Sequence, residues 1–416
     1  MSVDALRGFD MFWIIGADSL VYALRRLHPS KATTFLADQL EHADWQGFRF
    51  YDLIFPLFVF LMGISVVFSL TKTIERGRRT EALKRVVRRG LLLFLVGIFY
   101  SGGFINGWPD MRLMGVLNRI ALAYLFGGLL FCFLKPRALA GICAGILIGY
   151  WGLMTFVPIR DIKLTRDNIA LLAEQAGDTK TATYFYDRES PNPSTVKNSA
   201  AWAATERLFY GTTNWVRGKF DKGHDLADHI DFQYLPGKKY DTFFDPEGFL
   251  STIPAVGTCL LGIFAGLLLN HQTIPQQKKV IYLVGCGVAA AILGWCWNFQ
   301  FPVIKKIWTS SYVLVAGGYS AILMGAFYQV VDVWEKRAWC QPFVWMGMNS
   351  ITIYLTSNMI GGFRKLATRF VGGDVKVFFD GHIGRGMGDL VISITGLLLA
   401  FWFVRFLYKR NIFLRL

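Results

Sequence analysis

Charge is scarce in this 416-residue chain, at 18% of residues, and cysteine and histidine occur only six times each. So apolar a composition excludes a disordered chain and a coiled coil. The cysteines (Cys132, Cys143, Cys259, Cys286, Cys296, Cys340) avoid the long polar stretch 159–247, which excludes a disulfide scaffold; they read as small apolar fillers. No internal repeat is visible, which argues against an inverted-repeat transporter. Neither a basic n-region nor a small-residue cleavage site precedes the first apolar run, so no cleavable signal peptide is expected. What the chain does have is 53% hydrophobic residues, 42 glycines and 36 phenylalanines, with a mean hydropathy of +0.38. Small residues let helices approach closely in lipid and phenylalanine suits the lipid-facing surface, so an all-α polytopic membrane protein is expected.

Apolar runs lie near 5–24, 51–71, 90–105, 113–134, 138–158, 248–270, 280–300, 312–334, 342–361 and 389–408. Most approach the roughly 20 residues that a helix needs to span a bilayer. About ten crossings would leave both termini on one side. The connector 72–89 carries Lys72, Arg76, Arg78, Arg79, Lys84, Arg85, Arg88 and Arg89 against Glu75 and Glu81, which assigns it to the cytoplasm. Lys135, Arg137, Lys278, Lys279, Lys336, Arg337, Lys409, Arg410 and Arg415 fall on the same side. The net charge of +15 is therefore read as topogenic, and no nucleic-acid partner is expected. The connector 362–388, with five basic residues on the opposite side, is the exception. Three parts follow: an N-terminal bundle, 1–158, of five helices with a histidine-containing outer loop at 25–50; an extracytoplasmic segment, 159–247; and a C-terminal bundle, 248–416, of five helices. The aromatics of 159–247 and its turn Ser190-Pro191-Asn192-Pro193 favour an ordered lid over a disordered loop.

A charge at membrane depth costs on the order of 3 kcal/mol, so each should face the bundle interior. On a straight helix Asp4, Arg7 and Asp18 share a face, with Asp10 beside Arg7, and Asp4 and Asp18 lie about 21 Å apart. A capping Asp4–Arg7 pair is the plain alternative. Arg112 and Arg119 share a helical face with Asn118 alongside, and Asn349, Thr352 and Thr356 form a second polar stripe. The threonine hydroxyls are equally explained by bonds to their own backbone.

Among the histidines, His224 and His229 lie in His-Asp-Leu-Ala-Asp-His without a second ligand cluster, and no metal is expected there. His28, His271 and His382 have no functional context. His42 sits in Glu41-His42-Ala43-Asp44-Trp45-Gln46-Gly47-Phe48-Arg49-Phe50-Tyr51-Asp52, which leads into the second apolar run. Trp45 and Tyr51 suit the membrane interface and hold the imidazole at its edge, where it can act as general base or nucleophile or serve structure alone. Asp18, at the outer end of the first run, is the expected orienting partner.

Ser2-Val3-Asp4-Ala5-Leu6-Arg7-Gly8, the block from His42 to Gly47, and Asp52-Leu53-Ile54-Phe55-Pro56-Leu57-Phe58 together resemble the heparan-α-glucosaminide N-acetyltransferase family, including its bacterial NagX/YeiB-type relatives. Arg112 to Arg119, Asp245-Pro246-Glu247-Gly248, Trp308 to Val313 and Gly347 to Ile351 extend the resemblance over most of the chain. It implies a transmembrane acetyltransferase that takes acetyl from cytosolic acetyl-CoA, the co-substrate, to the amine of a glucosamine-type acceptor across a bacterial inner membrane. It further implies His42 as the catalytic residue. The family's helper asparagine corresponds to Asp18, and an aspartate can strengthen a base but cannot donate to an oxyanion. The animal relatives carry a further lumenal domain and a preceding span, so a bacterial-type core is expected. Asp4, Arg7, Arg112, Arg119, Asn349 and Ser350 are the expected acetyl-CoA contacts. Trp45, Asp52, Asp245 and Glu247 are those for the acceptor. The bilayer, the amino sugar and a homodimer mate, the last suggested by the family alone, are the expected partners. O-acetylation of an envelope glycan and transport of an amino sugar or oligosaccharide remain the alternatives.

Overall fold

The computed structural model describes residues 1–105, 107–192 and 199–414; Pro193 and Arg415 lie outside them. The chain folds almost entirely as helices. The N-terminal part contributes α1 (Ser2–Phe12), α2 (Asp18–Leu27), α3 (Lys31–Gln39), α4 (Phe50–Glu75), α5 (Arg79–Tyr100), α6 (Val116–Phe133) and α7 (Pro136–Phe156). The outer segment contributes α8 (Arg166–Gln175), α9 (Thr179–Tyr186), α10 (Ala200–Gly211) and α11 (Leu226–Tyr234), with a two-stranded antiparallel ribbon of β1 (Ile159–Arg160) and β2 (Trp215–Val216). The C-terminal part adds α12 (Phe249–Asn270), α13 (Gln276–Trp297), α14 (Ser310–Tyr328), α15 (Gln341–Met348), α16 (Ser350–Met359), α17 (Phe363–Val371), α18 (Asp374–His382) and α19 (Met387–Lys409).

Among the described residues seven helices are long and apolar enough to cross a membrane: α4, α6, α7, α12, α13, α14 with its continuation to Val333, and α19. The other three apolar runs are also helical but depart from a simple span. Helix α5 begins inside the basic connector and so carries charge along its first half. The run 342–361 is split at Asn349 into α15 and α16. The first run breaks between α1 and α2 at a π-helical segment, Trp13–Ala17, where Gly16 takes φ 128°. That break corrects the expected single stripe, because the 100° phase that aligned Asp18 with Asp4 and Arg7 does not carry across it.

Helices α4 and α12 form the centre. They meet at glycines: a Cβ on Gly63 would strike the Cys259 carbonyl, and one on Gly262 the Phe60 carbonyl. In lipid, such close backbone approach supplies the dispersion contacts that the hydrophobic effect cannot. The described residues of the outer segment pack around a core of their own, of Phe185, Trp202, Phe209, Phe232, Phe243 and Phe244. Each of its helices starts at a side-chain cap: Thr165, Asp178, Ser199 and Asp225 accept the backbone N–H three residues on. The basic connector 362–388 is partly neutralised by the first turn of α19, where Asp389 pairs with Arg364 and Lys376 at 3.7 and 3.0 Å.

Candidate active site

Helix α4 is 26 residues long, about 39 Å at helical rise, so its two ends lie at opposite faces of the bundle. Arg76 and the basic connector follow one end; Asp52 occupies the third position of the other. There it does what an acid in the first turn does best. Its Oδ2 accepts the Arg49 N–H at 3.0 Å and the Ala43 N–H at 3.1 Å. Its Oδ1 lies 2.9 Å from His42 Nδ1. Asp52 is fully buried whereas the His42 side chain is half exposed, so a fixed carboxylate holds an accessible imidazole. The Tyr51 ring packs beside His42 at 4.9 Å between centroids.

The orienting bond expected from Asp18 is thus made by Asp52. Asp18 Oδ1 instead accepts the N–H of Ser19 in its own helix. The physical cause is the Gly16 break, which turns α2 out of line with α1.

A third group enters from 263 residues away. Gln46 pairs with Ile304 and the Gly47 N–H donates to the Val303 carbonyl at 2.9 Å, which lays the 301–309 connector along the histidine loop. Lys305 Nζ then sits 2.9 Å from His42 Nδ1, 3.3 Å from Nε2 and 3.5 Å from Asp52 Oδ1. Burial pushes the Lys305 ammonium below the usual lysine range, against Asp52 and Glu247, which hold it up. Sequence reading missed Lys305 because no local spacing links it to His42; only the strand-like register does.

Three cavities meet in a row. An outer one of about 280 Å³ is lined by His42, Trp45, Arg112, Arg119, Tyr240, Glu247 and Lys305. A middle one, also about 280 Å³, shares His42, Phe55, Val116, Glu247 and Lys305 with it and is otherwise mostly apolar. An inner one of about 490 Å³ shares Phe58, Leu117, Ile120, Ser350 and Ile351 with the middle one, and adds Asp4, Arg7, Ser65 and Arg89. His42 therefore stands on the wall common to the first two, and the third leads towards the basic connector.

The other expected site residues divide between these spaces. Arg7 bonds Asp4 at 3.2 Å and Ser65 Oγ at 2.7 Å in the inner cavity, where Ser350 also lies. Arg112 does not share a helical face with Arg119, because α6 starts only at Val116 and Arg112 pairs as extended backbone with Gly237. Its guanidinium grips both carboxylates of the re-entering chain, Asp245 at 2.8 Å through two bonds and Glu247 at 2.8 Å. Burial opposes that cation, but the two carboxylates outweigh burial and hold its pKa above the ordinary arginine value. Arg119 is buried, donates to the Pro246 carbonyl and Ser251, and lies 4.8 Å over the Trp308 ring. Both arginines thus face the outer cavity, away from Arg7. Trp45 Nε1 donates to the Phe220 carbonyl and ties the histidine loop to the outer segment. Asn349 is buried at the α15–α16 junction, donating to the Trp345 carbonyl at 3.3 Å, and lines none of the three cavities. Among the described residues no group of three His, Cys, Asp or Glu side chains could hold a metal ion.

Fold and site together define a nearly all-helical, multi-pass membrane protein with a carboxylate-oriented histidine between two chambers. Residues 1–172 match the family model described as heparan-alpha-glucosaminide N-acetyltransferase, catalytic. The human heparan-alpha-glucosaminide N-acetyltransferase is 28% identical over 331 residues, covering 76% of this chain and 48% of the human protein. The mouse protein of that name is 27% identical over 333 residues, with the same coverage of both chains. The resemblance carried by the motifs is borne out as a similarity: residues 1–172 match the catalytic model of the heparan-alpha-glucosaminide N-acetyltransferase family, and the alignment with its human and mouse members extends over 76% of the chain. The chain spans about half the length of the curated relatives it matches.

Proposed function

We propose that the protein transfers an acetyl group from acetyl-CoA, bound from the basic-connector side, to the amine of a glucosamine-type sugar bound on the side of the outer segment. The observation that carries this reading is the position of His42 on a wall shared by two cavities, one opening beneath the outer segment and one continuing inward to Arg7 and Arg89. A donor confined to one face of a membrane and an acceptor confined to the other need such an arrangement. Arg7 meets α4 at Ser65, thirteen residues and about 20 Å along the helix from Asp52, a distance suited to a slender phosphopantetheine arm. The apolar middle cavity excludes water from the thioester, and the two basic side chains of the inner cavity suit the phosphates.

With Asp52 engaging Nδ1, His42 Nε2 is left for chemistry. It takes the proton of the attacking amine in a direct transfer, or attacks the thioester itself and passes the acetyl group on. Rapid-quench detection of acetyl-histidine separates the two routes. In this reading the chain makes ten crossings, with both termini on the cytosolic face of a bacterial inner membrane; among the described residues seven helices long and apolar enough to cross support its multi-pass character, and the basic connector supports its sidedness. Proteoliposomes test the whole reading: acetyl-CoA supplied on one side and N-acetylated sugar appearing on the other is the expected result. Sugar accumulation without acetyl-CoA would instead favour transport.

A further inference from the structure

Resting on the acetyl-transfer reading, the geometry points to Lys305 as a catalytic residue of that reaction: we propose that its ammonium stabilises the oxyanion formed when the thioester carbonyl is attacked. Four observations carry this. Lys305 lines both cavities that meet at His42, so any carbonyl placed between them passes its side chain. Its Nζ is 2.9 and 3.3 Å from the two ring nitrogens of His42. A group in line with the Nδ1 lone pair would lie much farther from Nε2, so Lys305 stands beside the ring and leaves the Nδ1 direction to Asp52. An acyl carbon that reaches Nε2 from the Lys305 side of the ring can place its oxygen within hydrogen-bond range of Nζ. Finally, the other cations of the outer cavity are committed elsewhere. Arg112 holds Asp245 and Glu247, Arg119 holds Pro246 and Ser251, and Lys306 holds Asp241 at 2.7 Å. The carboxylate oxygen paired with Lys305, on Asp52, is 3.5 Å away, and an ammonium has three N–H groups, enough to serve Asp52, the imidazole and a substrate oxygen together.

The chemistry balances without any further reactant. The nucleophile, amine nitrogen or His42 Nε2, forms a bond to the acyl carbon while the carbonyl π-pair moves to oxygen, where the Lys305 N–H donates to it. Collapse restores the C=O and expels the CoA thiolate. In direct transfer the amine's proton passes through His42 to that thiolate; where His42 is the nucleophile the amine then attacks the acetyl-imidazolium, Nε2 leaves, and the amine's proton goes by the same path to the thiolate. A cation fixed beforehand at the oxygen's position stabilises the charge where it develops and needs no reorganisation.

The test uses the full chain in proteoliposomes with acetyl-CoA and glucosamine, beginning with the wild type. Lys305→Met is expected to lower kcat by about 10²- to 10³-fold with both KM values within about threefold of wild type. Lys305→Arg, which keeps a cation, is expected to recover at least about tenfold of that loss. It should also move the alkaline fall in kcat to higher pH, because a guanidinium does not titrate there. The Arg variant's pH profile is a test in its own right should the Met variant fold poorly. A wild type that makes no acetylated sugar overturns the functional reading and the assignment with it. An active wild type with kcat of Lys305→Met within about threefold, a loss confined to KM, or an alkaline limb unmoved by arginine overturns the assignment of Lys305 alone.

Discussion

His42 Nδ1 and Asp52 Oδ1 are 2.9 Å apart, although ten residues and the entry into a membrane helix separate them in the chain. The carboxylate is fixed by the Ala43 and Arg49 N–H groups and by the rigid first turn of α4, so the imidazole inherits its orientation from the backbone. His42→Ala is expected to lower acetyl transfer by at least about 10³-fold, and Asp52→Asn by about 10²- to 10⁴-fold through loss of tautomer and ring orientation. Asp18→Asn should change kcat by less than about threefold, under 1 kcal/mol of barrier, because Asp18 does not touch the histidine. Full activity in His42→Ala would sink the proposed function; a large loss in Asp18→Asn would contradict the site as described.

Arg112 and Arg7 lie in different chambers, so their loss should separate the two substrates. Arg112→Gln frees Asp245 and Glu247 and is expected to raise KM for the sugar by about tenfold or more, with KM for acetyl-CoA little changed. Arg7→Gln should do the reverse. Steady-state kinetics with each substrate varied in turn checks both, and an increase in the wrong KM for either variant removes the chamber assignment.

Gly347 sits where α15 crosses α1, and a Cβ there would meet the Asp4 carbonyl. Because backbone cannot step aside as a side chain does, Gly347→Ala is expected to destabilise the protein by about 1–3 kcal/mol. A thermal midpoint in detergent equal to that of the wild type would show that the two helices tolerate separation.

Asp231, buried at the end of the outer segment, accepts the N–H groups of Phe249 and Asp245 at 3.0 and 3.3 Å. Burial nonetheless dominates and pushes its carboxyl up to about 7. The folded protein thus keeps a proton that the unfolded chain releases near pH 4. This residue's stabilisation is then complete below pH 4 and is lost as pH rises through 7. Thermal midpoints of wild type and Asp231→Asn, measured from pH 4 to 8, should show the wild type losing ground to the variant as pH rises. A difference that stays constant with pH rules out this titration.

Much of the architecture was legible in the sequence because burial in lipid demands long apolar runs, and such runs survive any detail of packing. The ten runs are helical over most of their length, and Phe185, Trp202 and Phe209 help build the core among the described residues of 159–247. What failed was phase. A stripe drawn through Asp4, Arg7 and Asp18 assumed an unbroken helix, while Gly16 at φ 128° breaks it. The same assumption put Arg112 on a helix that starts four residues later.

Composition and charge bias by themselves determined a helical membrane protein and its basic face, and the sequence block around His42 pointed to that histidine through its family resemblance. Only the tertiary structure decided which carboxylate holds the histidine, that Lys305 joins it from the far half of the chain, and that Arg112 and Arg119 face the outer chamber. The reason is physical. Partition into a bilayer is a property of local segments, whereas a hydrogen bond of 2.9 Å depends on how segments hundreds of residues apart are packed, and no local pattern encodes that distance.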